Sequence, residues 1–421
     1  MIARAQAVPI VALVAVVGVL VAMRAREGAR VERAQATRLA SAKIEERTAS
    51  IAHAVAPSSK SDAAEGAAPH AIHEDARHTH RARGLGPTSA KLAWKSDVGG
   101  PVEAQVVASP DERTLYVASL DGGLSALDAE SGARKWRVAL GARAYETPCV
   151  APDGTIYAGS DAKRFVAVHP DGSIAWTLET DGEVDTAATL TRDGLVVFAA
   201  GAHLYAVRPG GDIAWRFDAK KKVFTAPAIA DDGTFVIGSQ DHHVYALTPK
   251  GELAWSTDLG ADVDGAPAIA DDGAVVVGDD AGEVVRLDAH GAVTWRTQVG
   301  GFVRGALSIA RDGDVLAGVY GPTPRMVRVA ADGSVRASFA VRGTGAREFG
   351  VHGGALEDER GAIYFGAQDD EIHALGPATP SEPAWEWTFT TGADVDAPLT
   401  LLSSGALVAA SDDGNVYLFA R

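Results

Sequence analysis

The chain has 421 residues, 47% of them hydrophobic, with 55 Asp+Glu against 39 Lys+Arg and a formal net charge of −16. Residues 1–90 carry 12 basic and 8 acidic side chains, net +4, whereas residues 91–421 carry 27 and 47, net −20. An acidic body without clustered Lys and Arg excludes nucleic acid as a partner, and Cys149, the single cysteine, excludes an intrachain disulfide.

Residues 5–23 hold no charge, and Val8 to Met23 is almost wholly apolar. Nineteen residues at about 1.5 Å each nearly cross a hydrocarbon core. Residues 1–23 are therefore read as a transmembrane signal-anchor that tethers the chain to a membrane. A cleaved signal peptide would need a small-residue site after the apolar run, and Met23-Arg24-Ala25-Arg26 is a poor one. There is no cysteine near residue 20 to carry a lipid. Arg4 precedes the apolar run and Arg24, Arg26, Arg30, Arg33 and Arg38 follow it, so the positive-inside rule places the remainder in the cytoplasm.

Residues 24–90 read as a stalk. Val31 to Val55 is Ala-rich, with Leu39, Ile44 and Ile51 at a spacing compatible with a short helix. Residues 56–90 are rich in Ala, Pro, Ser and Gly and are expected to form a disordered linker. His70, His73, His78 and His80 cluster there beside Glu74 and Asp75. Imidazoles at that density can capture Zn²⁺, Ni²⁺ or Cu²⁺ loosely, but a disordered segment offers nothing to orient them, and no metal role is expected.

From residue 91 a repeat takes over. Trp94, Trp136, Trp176, Trp215, Trp255 and Trp295 are separated by 42, 40, 39, 40 and 40 residues, and Trp387 follows. Residues 266–295 show one unit: Ala266 to Ala270, the turn Asp271-Asp272-Gly273, Ala274 to Gly278, a polar turn, Glu283 to Leu287, and Ala292 to Trp295. Short Val- and Ile-rich runs between Asp-Gly turns are antiparallel hairpin strands, and a period of about 40 residues is that of propeller blades. The unit recurs eight times, with Ala337 in the Trp position of the sixth and extra residues, Arg342 to Phe349, in the seventh. The eighth stops at Arg421 without its fourth strand, while Lys91 to Trp94 is a fourth strand without a unit. The fold class is thus all-β: an eight-bladed β-propeller of four-stranded antiparallel blades over 91–421, its ring closed by the N-terminal strand, preceded by one transmembrane helix and a linker.

Ala126-Leu127-Asp128-Ala129-Glu130-Ser131-Gly132-Ala133-Arg134-Lys135-Trp136 resembles the A-x-D-x-x-x-G-x-x-x-W tryptophan-docking repeat of the PQQ-like propeller superfamily, with shortened versions ending at Trp176 and Trp255. That superfamily includes quinoprotein dehydrogenases and the lipid-anchored outer-membrane assembly protein BamB. The resemblance implies that each Trp glues one blade to the next, and that the propeller lies in the periplasm or outside the cell, against the arginine count. It also implies, for the dehydrogenases, a quinone, a Ca²⁺ held by acidic and amide side chains, and a pair of adjacent disulfide-bonded cysteines that this chain lacks. Neither PQQ nor Ca²⁺ is expected.

Aligning the units brings Glu103, Tyr145, Asp185, Phe224, Asp264, Arg304, His352 and Asp396 to one position at the start of the first strand. By symmetry these ring one mouth of the central channel, and their variety suits a ligand or partner site. Asp-rich turns such as Asp231-Asp232-Gly233 and Asp412-Asp413-Gly414 lack Ca²⁺-loop spacing and are read as turn chemistry. His242 and His243 are neighbours on a strand and point to opposite faces, so they cannot share a metal. There is no G-x-S-x-G, H-E-x-x-H or P-loop sequence. Two functions are compatible with this pattern: a tethered scaffold that binds a protein partner in the cell envelope, or a propeller enzyme with its site at the channel mouth.

Overall fold

The computed structural model describes residues 73–346, 349–377 and 386–421, and these form one body. The expected signal-anchor, 1–23, and the stalk up to residue 72 lie outside the described residues. Among the described residues no helix is long and apolar enough to cross a membrane.

Eight four-stranded sheets make up the body. Blade 1 consists of Val107–Ala108, Thr114–Ser119, Gly123–Asp128 and Arg134–Ala139, paired antiparallel in chain order. Blades 2 to 7 repeat this, with inner strands Cys149–Val150, Thr189–Leu190, Ala228–Ile229, Ala268–Ile269, Ser308–Ile309 and Leu356–Glu357. Blade 8 takes Thr400–Leu401, Leu407–Ser411 and Asn415–Phe419 from the C-terminus and Leu92–Asp97 from the N-terminal side, with Trp94 opposite Leu418. The expected closure is therefore realised, and it pairs an edge that would otherwise offer open hydrogen-bonding groups. Middle strands are buried on both faces, as in Ile156–Ser160, because each sheet packs between two others, whereas outer strands such as Leu253–Asp258 alternate exposed and half-buried.

Tryptophan holds seven of the eight blade junctions. Each Trp Nε1 donates to a carbonyl in the last turn of the next blade: Trp94 to Ala129, Trp136 to Pro170, Trp176 to Pro209, Trp215 to Pro249, Trp255 to Ala289, Trp295 to Ala331 and Trp387 to Pro87, at 2.7–3.2 Å. Except at Trp387, the indole lies on a glycine of that turn, from Gly132 under Trp94 to Gly333 under Trp295. A Cβ on Gly251 would meet Trp215 at 2.5 Å, and Gly251 has φ +79°, a conformation that costs other residues energy. The repeat thus needs Trp and Gly together. Blade 6, with Ala337 on its outer strand, is the exception.

The linker reading fails for residues 73–90. Pro87 supplies the docking carbonyl for Trp387, and Tyr364 Oη donates to the same oxygen at 3.2 Å. Upstream, the segment crosses the floor of the channel. The inner-strand amides of Ile229, Ile269, Ile309 and Glu357 donate to the carbonyls of Ala76, Arg77, Thr79 and His80 at 2.6–3.1 Å, and Ala82 N returns a bond to Glu357 O at 2.8 Å. His73, His78, Thr79, His80 and Ala82 are buried. Low apolar content argued for disorder, but order here comes from the inner edges of blades 4 to 7, whose unpaired backbone groups the segment satisfies.

Candidate functional site

The approach to each inner strand is extended, so alternate side chains face the channel. In blade 4, Phe224 and Ala226 line it, while the intervening Thr225 turns into the blade and donates to Gly238 O at 3.2 Å. The same register in every blade brings all eight aligned residues, Glu103, Tyr145, Asp185, Phe224, Asp264, Arg304, His352 and Asp396, onto one cavity of about 120 Å³. Below this rim a second tier contains Thr147, Ala187, Ala226, Ala266, Ala306 and Pro398, small enough to leave a cup, and His73 closes the bottom.

The rim divides electrostatically. Over blades 2 to 6, cations accompany it: Lys222 Nζ sits 2.6 Å from Asp185 and 4.4 Å from the Phe224 ring centroid. Arg143 lies over Tyr145 at 5.6 Å, and Arg304 forks onto Asp280 with two 2.8 Å bonds. These cations are ion-paired with Asp161, Glu183, Asp185 and Asp280, whereas over blades 8 and 1 the carboxylates gather without such a partner among the described residues. Burial, with Asp396 and Asp412 nearby, pushes Glu103 up to about 7 despite Arg143. Burial and the neighbours Asp396 and Asp370 raise Asp394 to about 7, and burial with Asp396 raises Asp412 to about 6. Asp264 is held at about 6, chiefly by burial and then by Asp280, against Gln240 and Arg304. Glu146, fully buried beneath the rim near Asp185, rises well above the carboxylate range.

Several of these oxygens have no donor. Among the described residues, Oδ1 of Asp185, Asp264, Asp396 and Asp412 and both oxygens of Glu146 are buried without a hydrogen bond. Asp396 is 7% exposed and has only its Oδ2 engaged, by Gln368 Nε2 at 3.1 Å. Oδ1 of Asp264 and of Asp396 thus offers the cavity an acceptor that a basic group could satisfy.

Repeat alignment therefore finds the rim but misses its acidic reinforcement. The sequence reading assigns Asp412 to turn chemistry. That assignment suits its neighbour Asp413, whose Oδ1 accepts from Asn415 N at 3.0 Å, and Asp232, which accepts from Thr234 N at 2.9 Å. Asp412 instead lies beside the rim residue Asp396, at the blade position where Gln240, Asp280 and Gln368 contact the rim. Aligning that second position would have found it. Cys149 is buried, its thiol pushed up to about 12 by burial and Glu146. His242 and His243 pair separately, with Asp262 at 3.2 Å and Asp241 at 3.4 Å. Away from the cup, Asp369, Glu371 and His373 bring ligand atoms within 4.8 Å of one another, but His373 Nε2 lies 3.2 Å from Asp369 and Arg342 faces Glu371 at 3.8 Å, so the group is already charge-paired.

Comparison with known proteins gives the frame. A family model described as outer membrane protein assembly factor BamB matches residues 79–209 and 200–421. Among solved structures, BamB from Moraxella catarrhalis is similar with a TM-score of 0.63 at 18% identity, covering 78% of this chain and 97% of that one. A europium-containing methanol dehydrogenase aligns at 0.67 and 11% identity over 81% and 89%, and Sqt1 from Saccharomyces cerevisiae at 0.66 and 12% over 79% and 99%. At these identities the likeness is one of fold. Comparison with curated proteins gives no match.

The dehydrogenase likeness raises a quinone cofactor, and the cup does not fit one. A pyrroloquinoline tricarboxylate would meet Glu103, Asp185, Asp264 and Asp396 on the walls. The space of about 120 Å³ is also small beside the roughly 300 Å³ or more of typical ligand pockets.

Proposed function

The chain belongs to the propeller family whose model is described as outer membrane protein assembly factor BamB, and from that premise we propose that it is a membrane-tethered, non-catalytic binding module of the cell envelope that seats a protein partner on the rim of the cup. The observation that carries this is the divided rim. Asp396, Glu103, Asp394 and Asp412 form an acidic sector in which Oδ1 of Asp396 and of Asp412 has no donor, and Tyr145 and Phe224 form an aromatic sector beneath Arg143 and Lys222. A partner loop that places a Lys or Arg in the first and an apolar side chain against the second is held in one orientation. Opposed charges also speed encounter and reject wrongly charged partners. The apolar run in residues 5–23 would be the tether, and the family supports an envelope location.

The test is photocrosslinking in cells from the full chain. A crosslinker at Tyr145 or Phe224 is expected to capture a discrete protein that a crosslinker at Arg192, 89% exposed in a blade 3 turn, does not. Glu103→Gln with Asp396→Asn should abolish that band. Equal capture from rim and turn, or capture indifferent to the acid variants, would remove the cup from the function. A reporter active only outside the cytoplasm, fused after Arg421, tests the location separately.

A further inference from the structure

Three histidines meet at the floor of the cup, on a segment that the partner-binding proposal does not use. The His73 ring stacks on His80 with centroids 4.1 Å apart and meets His78 edge-on at 4.8 Å. All three residues are at most 3% exposed. Each keeps one buried ring nitrogen without a partner: Nδ1 of His73, Nε2 of His78 and Nε2 of His80. A buried imidazole normally satisfies both nitrogens, so three orphans in an eight-residue stretch demand an occupant.

His78 shows what kind. Its Nδ1 lies 3.0 Å from the carbonyl of Pro267, to which only an N–H can bond, so Nδ1 carries the proton and Nε2 is left as a lone pair. A backbone carbonyl fixing one nitrogen so that the other faces a metal is the usual outer arrangement of a metal-binding histidine. The backbone is committed to the same arrangement. Eight non-glycine residues among those described have left-handed φ, and His73, Glu74, His78 and His80 are four of them. Gly354 makes room, since a Cβ there would come within 2.9 Å of the His80 ring.

We propose that His73, His78 and His80 are the ligands of one late first-row divalent metal ion, of the Zn²⁺ or Cu²⁺ class, bound at the floor of the cup with its remaining coordination position open to the cavity. Imidazole suits those ions, and three protein ligands with one open position is a common zinc arrangement. His73 lines the cavity, which provides the entry path. In this structure the rings stack and their nitrogens do not converge on one point, so capture requires His73, which lines the cavity, and His80 to turn toward Nε2 of His78, whose ring the bond to Pro267 holds in place.

The test uses the full chain, stripped with chelator, loaded with Co²⁺ alone and desalted. The expected result is one retained Co²⁺ per chain with the intense visible bands of four-coordination. His78→Gln and His80→Gln should each weaken retention at least tenfold, while His373→Gln in the charge-paired cluster leaves it unchanged. X-ray absorption of the Zn²⁺-loaded wild-type chain, which needs no variant to fold, should count three imidazoles. No retained metal, a shell with fewer than two imidazoles, or binding that follows His373 would overturn the proposal. None of these outcomes depends on a partner at the rim.

Discussion

The two ends of the central channel are built on the same eight inner strands and solve opposite problems. At the mouth the backbone repeats and the side chains differ: eight equivalent positions hold four acids, an arginine, a histidine and two aromatics. At the floor it is the backbone pairing that breaks the symmetry, because one passing segment bonds to the inner edges of blades 4 to 7. A symmetric ring thus becomes asymmetric by two independent devices, one written in side-chain identity and one in hydrogen bonds. The mouth can vary without unfolding the ring, whereas the floor is tied to stability.

The largest expected effect breaks the floor. Deleting residues 73–82 removes five backbone bonds and exposes the inner edges, which at about 1 kcal/mol net per bond amounts to roughly 5 kcal/mol. Denaturant unfolding of the full chain and the deletion would measure it, and an unchanged midpoint would reduce the segment to a passenger. Next come the junctions that both ends share. Gly251→Ala pushes a Cβ against Trp215 at left-handed φ and should cost about 2 kcal/mol. The same change at Gly210, where nothing lies within 4 Å and φ is not left-handed, should be nearly silent. Comparable losses at both would end the Trp–Gly account.

At the mouth the effects are smaller and depend on pH. Glu103 and Asp394 hold their protons to about pH 7 in the fold, against ordinary values of 4.5 and 3.8. Between those limits the native state binds more protons than the unfolded chain, so stability falls as pH rises toward 7 and levels off above it. Glu103→Gln should flatten the slope by about 1 kcal/mol, the shift being discounted for solvent at the open mouth. Stability titrated between pH 4 and 8 would show this, and an identical slope in the variant would mean that Glu103 is already ionised.

Seating a cation among these acids lowers their proton affinity, so partner or peptide binding at pH 6.5 should release protons. Calorimetry in two buffers of different ionisation enthalpy would detect the release. Its absence would place the basic side chain elsewhere.

The repeat made most of the ring legible. Trp spacing, Asp-Gly turns and the unmatched strand at Trp94 are local signals that the geometry must obey, and the eight rim residues followed from symmetry alone. His73, His78 and His80 were visible as a cluster but not as a floor, because their order depends on amides of Ile229, Ile269 and Ile309, more than 150 residues away in the chain. Composition reports whether a segment can fold alone and is blind to a template supplied by the rest of the molecule. Asp412 was hidden differently, since an Asp beside an Asp-Gly turn looks like part of the turn.

The floor segment also sets a load path. Residues 73–82 bond to blades 4 to 7 before the chain reaches Leu92–Asp97, the strand that seals blade 8. A pull arriving from the N-terminal side is borne first by hydrogen bonds spread over four blades, and only after these give way by the seam. The segment works as a strain relief on a cable: the joint that holds the ring shut is not the joint that takes the tension.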